Sequence, residues 1–207
     1  MTNTLIVNCS LETTANKLLV EAVGKFSNYK VMHFREIDEA HKINDEVDTL
    51  VLSDSAARVV SPTHRNMYIG TVNLIKNCDM PVLGICFGHQ LLCWALGAKV
   101  GSLNEPVLDR FEKVRIIKDD PIFDGLPQSK PAFLAESHYD HVLEESLSPA
   151  DFLLLADSES CQVEAVRHKQ KPIYGVQFHP ERTNLRNESH NEGNQIIQNF
   201  YKNVVKQ

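Results

Sequence analysis

Apolar positions in the first half of the chain follow two alternating rhythms. Leu5-Ile6-Val7, Thr49-Leu50-Val51-Leu52 and Val82-Leu83-Gly84-Ile85 are short, almost wholly apolar runs, the pattern of strands buried on both faces. Residues 29–34 read as a further strand. Between these runs the spacing becomes helical: Ala15, Leu18, Leu19, Ala22, Val23 and Phe26 recur on one face, with Thr13 or Thr14 placed to cap them. Residues 53–61 form a loop of small residues, and Pro62-Thr63 opens a helix that should carry Met67, Thr71, Leu74 and Ile75 inward. Strands alternating with helices predict a parallel sheet.

The pattern changes after Gly97. Val114-Arg115-Ile116-Ile117, Ala132-Phe133-Leu134-Ala135, Phe152-Leu153-Leu154-Leu155-Ala156 and Gln162-Val163-Glu164-Ala165-Val166 are short strands separated by turns such as Asp124-Gly125-Leu126-Pro127. They predict antiparallel strands added at one edge. Pro172-Ile173-Tyr174-Gly175-Val176-Gln177-Phe178 returns to the buried sheet, and a last helix places Ile196, Ile197, Phe200 and Val204 on one face. The expected fold class is α/β: a mostly parallel central sheet covered by helices on both faces, with a small antiparallel edge. With no internal repeat or linker in view, residues 1–207 read as a single domain. In open α/β sheets ligands bind beyond the carboxyl ends of the strands. Three segments converge there: residues 53–61, the turn after Ile85, and the stretch after Phe178.

Two of those segments carry chemistry. Gly84-Ile85-Cys86-Phe87-Gly88 joins a strand to a helix stopped by Gly97, the geometry of a nucleophile elbow with cysteine in place of serine. Side chains at Gly84 and Gly88 would collide with neighbouring strand or helix. The helix N-terminus favours a thiolate by at most ~2 kcal/mol, so a second contributor, a histidine, is needed. Gln177-Phe178-His179-Pro180-Glu181 supplies one from the end of a strand of the same sheet. His179 can take the thiol proton and return it to a leaving amine. Glu181 can hold the other ring nitrogen.

Composition narrows the setting. A net charge of −6, with 27 acidic against 21 basic residues, argues against a nucleic-acid binder. The basic cluster Arg167-His168-Lys169-Gln170-Lys171 reads as a solvated hairpin tip. Five cysteines without paired spacing (Cys9, Cys78, Cys86, Cys93, Cys161) fit reduced thiols rather than disulfides or zinc. His138 and His141 stand at a metal-ligand spacing without a third ligand, so no metal is expected. The opening Met1-Thr2-Asn3-Thr4 has no signal-peptide pattern and no apolar run is long enough to span a bilayer. A cytoplasmic protein is expected, with no membrane partner.

Pro81-Val82-Leu83-Gly84-Ile85-Cys86-Phe87-Gly88-His89-Gln90-Leu91-Leu92 and Gly175-Val176-Gln177-Phe178-His179-Pro180-Glu181 resemble the two active-site segments of the class I, triad-type glutamine amidotransferases. The resemblance implies hydrolysis of glutamine through a thioester, with Cys86 as nucleophile, His179 as base and Glu181 as its orienter. It also implies a substrate pocket that includes the Phe87 N–H as an oxyanion donor, Gln90, Ser55, Tyr139 and Asp140. Ser160-Cys161-Gln162-Val163-Glu164-Ala165, Lys171-Pro172-Ile173-Tyr174-Gly175-Val176 and Ser137-His138-Tyr139-Asp140-His141-Val142 most resemble the GMP synthetase branch, whose separate amidotransferase chain has about this length. Glutamine would be the substrate and an ATP-pyrophosphatase-type synthetase subunit the partner. No phosphate-cradling loop is visible, so ATP and magnesium are expected only on that partner. The alternatives are a free-standing γ-glutamyl amide hydrolase and a non-catalytic regulatory subunit. Three stretches depart from the family: Ser53-Asp54-Ser55-Ala56 replaces Ser-Gly-Gly-Pro, Asn8-Cys9-Ser10-Leu11-Glu12 replaces Asp-Asn-Gly-Gly-Gln, and Leu103-Asn104-Glu105-Pro106-Val107-Leu108 replaces a glycine-containing stretch. The first of these predicts a chain that needs a partner to complete its oxyanion hole.

Overall fold

Leu50, Val51 and Leu52 are fully buried, and beside them Val82, Leu83 and Ile85 are at most 1% exposed, because helices cover both faces of the strands they form. The computed structural model describes residues 2–127 and 129–206; Met1, Gln128 and Gln207 lie outside them. The first strands are β1 (Asn3–Asn8), β2 (Asn28–His33), β3 (Thr49–Leu52) and β4 (Val82–Ile85). They are followed by β5 (Val100–Ile116), β6 (Ala132–Val142), β7 (Phe152–Asp157), β8 (Ala165–His168) and β9 (Ile173–Val176). These strands form one sheet in the order β2-β1-β3-β4-β9-β8-β7-β5-β6. The pairings from β2 to β9 are parallel, and those from β9 to β6 are antiparallel. The antiparallel edge is thus β8, β7, β5 and β6.

Period-two alternation sorts the side chains into two cores. Leu5, Val7, Leu50, Leu52 and Val82 face the core closed by α3 (Ile69–Lys76) and α4 (Phe87–Ala95). Ile6, Val51, Leu83, Ile85 and Val176 face the other, closed by α1 (Lys17–Gly24) and α5 (Glu192–Asn199). The last helix places Ile196, Ile197 and Phe200 inward as expected, and continues as a π-helical turn over Phe200–Val205. Among the described residues no helix is long and apolar enough to cross a membrane.

Four local expectations need correction. The cap of α1 is Asn16, whose side chain accepts from the N–H groups of Leu18 and Leu19, and not Thr13 or Thr14. Leu18, expected inward, is half exposed. The helix opened by Pro62 is two: α2 (Pro62–Met67) and α3 meet at Tyr68, so Met67 turns outward while Thr71, Leu74 and Ile75 stay buried. Tyr68 stands at the break with φ −103° and ψ 16°, its ring buried between Phe34 and Phe87 at centroid distances of 4.1 and 4.8 Å. Gln162, Val163 and Glu164 precede β8 rather than belonging to it.

Candidate active site

The elbow forms where β4 ends. Cys86 has φ 51° and ψ −107°, a backbone conformation that L-residues rarely adopt. It is held there from both sides: its N–H donates to the Val176 carbonyl at 2.8 Å, and its own carbonyl accepts the Gln90 N–H at 3.1 Å, starting α4. The flanking glycines are needed for close approach. A Cβ on Gly84 would lie 2.6 Å from the Gly88 oxygen, and one on Gly88 would lie 2.7 Å from the Leu52 Cβ. Those are distances that atoms do not tolerate, so β3, β4 and α4 can pack this closely only with glycine at both positions.

His179 is delivered by the continuation of β9. Its N–H donates to the Ala135 carbonyl of β6 at 2.8 Å, and the preceding Gln177 N–H donates to the Glu164 carbonyl at 2.7 Å. The imidazole Nδ1 lies 2.9 Å from Glu181 Oε1. The carboxylate accepts, so Nδ1 carries the proton and Nε2 is left to face Cys86. Nε2 is buried with no oxygen or nitrogen bonded to it. Burial alone would lower the imidazole pKa, but the Glu181 carboxylate and the Cys86 sulfur outweigh it and hold His179 well above its ordinary value. For Glu181, burial pulls upward, but the His179 charge, the hydrogen bonds to the carboxylate and the Arg182 charge together outweigh it, leaving it below the ordinary carboxylate range. The sulfur of Cys86 also lies 3.7 Å from Gln177 Nε2 and 3.8 Å from the Ser137 carbonyl oxygen.

Cys86, Phe87, Gln90, Ser55, Tyr139, Asp140 and His179 all line one cavity of about 310 Å³, with Glu181 behind His179. The structure therefore brings every sequence-predicted site residue to one place, but several are already engaged. Gln90 gives both amide hydrogens away, to the Asp140 carbonyl at 2.7 Å and to Gln177 Oε1 at 3.0 Å, leaving only its own oxygen for a ligand. Both carboxylate oxygens of Asp140 are held by Arg58, through Nε at 3.1 Å and through a closer contact from Nη2. Arg58 also reaches Ser102 and lies over the Tyr139 ring. The Ser55 hydroxyl donates to the Tyr68 hydroxyl at 3.2 Å, which in turn donates to the Cys9 carbonyl at 2.6 Å. Among the described residues the positive-φ non-glycine positions are Cys86, Asp109, Asp151 and Arg186, so residues 54–57 sit in relaxed backbone.

Sequence reasoning did not find Asn16, Arg58 or Gln177, nor a buried acidic cluster behind the cavity wall. In that cluster His138 Nδ1 lies 2.9 Å from the Asp140 carbonyl. A carbonyl only accepts, so Nδ1 holds the proton. Burial pushes the pKa of the ring down, and its Nε2 lies 3.1 Å from Glu136 Oε2. Burial raises the Glu136 pKa to about 7, and raises that of the neighbouring Glu164 well above the carboxylate range. Cys9, Cys78, Cys93 and Cys161 are buried, and burial pushes each thiol pKa up. None of those four lines the cavity that holds Cys86.

A sulfur beside a buried imidazole that is backed by a carboxylate can add to a carbonyl and pass a proton to a leaving amine. The solved structure of a putative GMP synthase subunit from Thermoplasma acidophilum is similar to the whole chain. It superposes with a TM-score of 0.82 at 28% identity, over 100% of this chain and 94% of that one. A glutamine-hydrolysing GMP synthase subunit of Methanocaldococcus jannaschii is 42% identical over 132 residues, 63% of this chain and 64% of the relative. The Pyrococcus abyssi protein of the same name is 42% identical over 133 residues, again 64% of its length. The chain thus covers somewhat less than two thirds of the curated relatives it matches. The family model for glutamine amidotransferase class-I matches residues 7–204, nearly the whole sequence, and the chain belongs to that family.

Proposed function

We propose that the chain hydrolyses the side-chain amide of glutamine with Cys86, His179 and Glu181 as a catalytic triad. The observation that carries this reading is the His179 imidazole, fixed at Nδ1 by Glu181 with Nε2 left to the Cys86 sulfur. The Cys86 thiolate adds to the amide carbon, and the oxyanion is met by the Phe87 N–H, at the first position of α4 where no intrahelical acceptor exists. The carbon–nitrogen bond breaks as the His179 imidazolium gives its proton to the departing ammonia. Water, deprotonated by the same imidazole, then cleaves the thioester to glutamate and frees Cys86.

The names of the relatives support a destination for the ammonia: a separate ATP-pyrophosphatase-type synthetase that aminates XMP to GMP in the cytoplasm. ATP and magnesium belong to that partner, and residues 1–207 act as one amidotransferase domain. Ser55, Gln90, Tyr139 and Asp140 bind glutamine, with Asp140 exchanging part of its hold on Arg58 for the substrate ammonium. The test is steady-state glutamine hydrolysis with and without the synthetase chain. Cys86→Ala and His179→Ala are expected to abolish turnover, while Glu181→Gln leaves a small residue of it. Hydrolysis by Cys86→Ala at the unmodified rate would end the covalent mechanism.

A further inference from the structure

Asn16 does not line the cavity, yet its side-chain amide is fully used around it. Oδ1 accepts the N–H groups of Leu18 and Leu19 at 3.1 and 3.3 Å, capping α1. Nδ2 gives one hydrogen to Glu181 Oε1 at 3.1 Å and the other to Asp54 Oδ1 at 3.0 Å. These partners stand 165 and 38 residues away in the chain. Capping alone does not call for asparagine, since serine and aspartate cap as well. What asparagine adds is a pair of donors, and both are spent on carboxylates. Glu181 Oε1 is the same oxygen that accepts from His179 Nδ1.

We propose that Asn16 is a positioning residue for the triad, fixing the Glu181 carboxylate and through it the His179 ring, and tying both to the loop that begins at Asp54. This rests on the triad reading above. The charged groups facing this junction come from three elements. Glu181, Arg182 and His179 follow β9, Asp54 follows β3, and Asp109 of β5 pairs with Arg182 at 3.2 Å. Arg182 lies 3.8 Å from Asp54 and 3.9 Å from Glu181, so the two carboxylates share a cation as well as an amide. Cys86 is the further group that His179 faces. Without the amide hydrogens, Glu181 gains freedom and basicity, and its hold on the imidazolium proton tightens.

Asn16→Asp and Asn16→Ser both keep a cap acceptor and remove the amide donors. Thermal unfolding, glutamine kinetics and the pH dependence of Cys86 alkylation by iodoacetamide are to be measured for each. Both variants are expected to fold. Their kcat should fall about 10- to 100-fold, the range for a displaced catalytic group, with KM changed less than about threefold. The step in alkylation rate that reports His179 losing its proton should move to higher pH. In a Glu181→Gln background Asn16→Asp should alter kcat far less, because the group it acts through is gone. Unchanged kcat and alkylation profiles, an equal loss in the Glu181→Gln background, or failure of both variants to fold would each overturn the assignment. If the unmodified chain does not hydrolyse glutamine, the alkylation profile still decides: a shift upholds Asn16 while the glutaminase reading falls.

Discussion

Complete burial makes the Glu136 carboxyl a pH-dependent part of the fold. Its pKa rises from 4.5 to about 7 on burial. Between those two values the folded chain holds a proton that the unfolded chain releases, so the contribution of this group is complete below pH 4.5 and is lost as pH rises through 7. The full shift corresponds to roughly 3 kcal/mol. Thermal melting followed from pH 5 to pH 8 should therefore fall more, or rise less, in the native chain than in Glu136→Gln, which cannot ionise. An identical slope in the variant would place the titration elsewhere. No pattern in the sequence marks Glu136 or Glu164 as buried, because each stands in an ordinary strand-like run. Their burial follows from β6 and the segment before β8 closing over the same space.

At the level of elements, the elbow depends on how closely α4 lies against β3. A methyl group on Gly88 would meet the Leu52 side chain and carbonyl, so Gly88→Ala should cost about 1–3 kcal/mol, as overpacking does. A lowered urea midpoint would register that cost, and an unchanged midpoint would mean the helix can shift freely. The apolar runs that became β1, β3, β4 and β9 were legible because strands buried on both faces need little beyond apolarity. A parallel sheet, an antiparallel edge, the elbow and the His179 segment followed from them, though the strand order did not. The 17-residue β5 was not, since most of its residues are exposed and only its last stretch is apolar. Asn16 was missed as the cap because Thr13, Thr14 and Asn16 are all capable caps and spacing alone does not choose among them. The Arg58–Asp140 pair joins residues 82 apart, a separation at which side-chain chemistry gives no warning of contact.

Considered whole, the molecule sets its candidate nucleophile in a cavity whose loop wall is tied down at rest. Asp54 is held by Asn16 and Arg182, and Ser55 by Tyr68. With residues 54–57 all outside the positive-φ region that glycines favour, we expect a second oxyanion donor from this loop to require the loop to move. The isolated chain should therefore be a slow glutaminase that a docked synthetase accelerates, since one missing donor costs ~100- to 1000-fold. Asp54→Gly/Ser55→Gly should narrow the gap by letting the loop adopt the donor conformation unaided. A rapid isolated chain that the double variant does not improve would show that the loop is not limiting.

The backbone at Cys86 sets chemistry and durability against each other. Holding a side chain at φ 51° and ψ −107° costs of order 1–3 kcal/mol. Glycine at the same place would shed that cost, set against a loss of ~0.5–1 kcal/mol of chain entropy. Cys86→Gly is accordingly expected to melt at a higher temperature than the native chain, whereas Cys86→Ala, which keeps the Cβ, should not. A screen that rewarded thermal tolerance alone would drift toward the inert protein, and the cysteine would persist only where its reaction is also being selected.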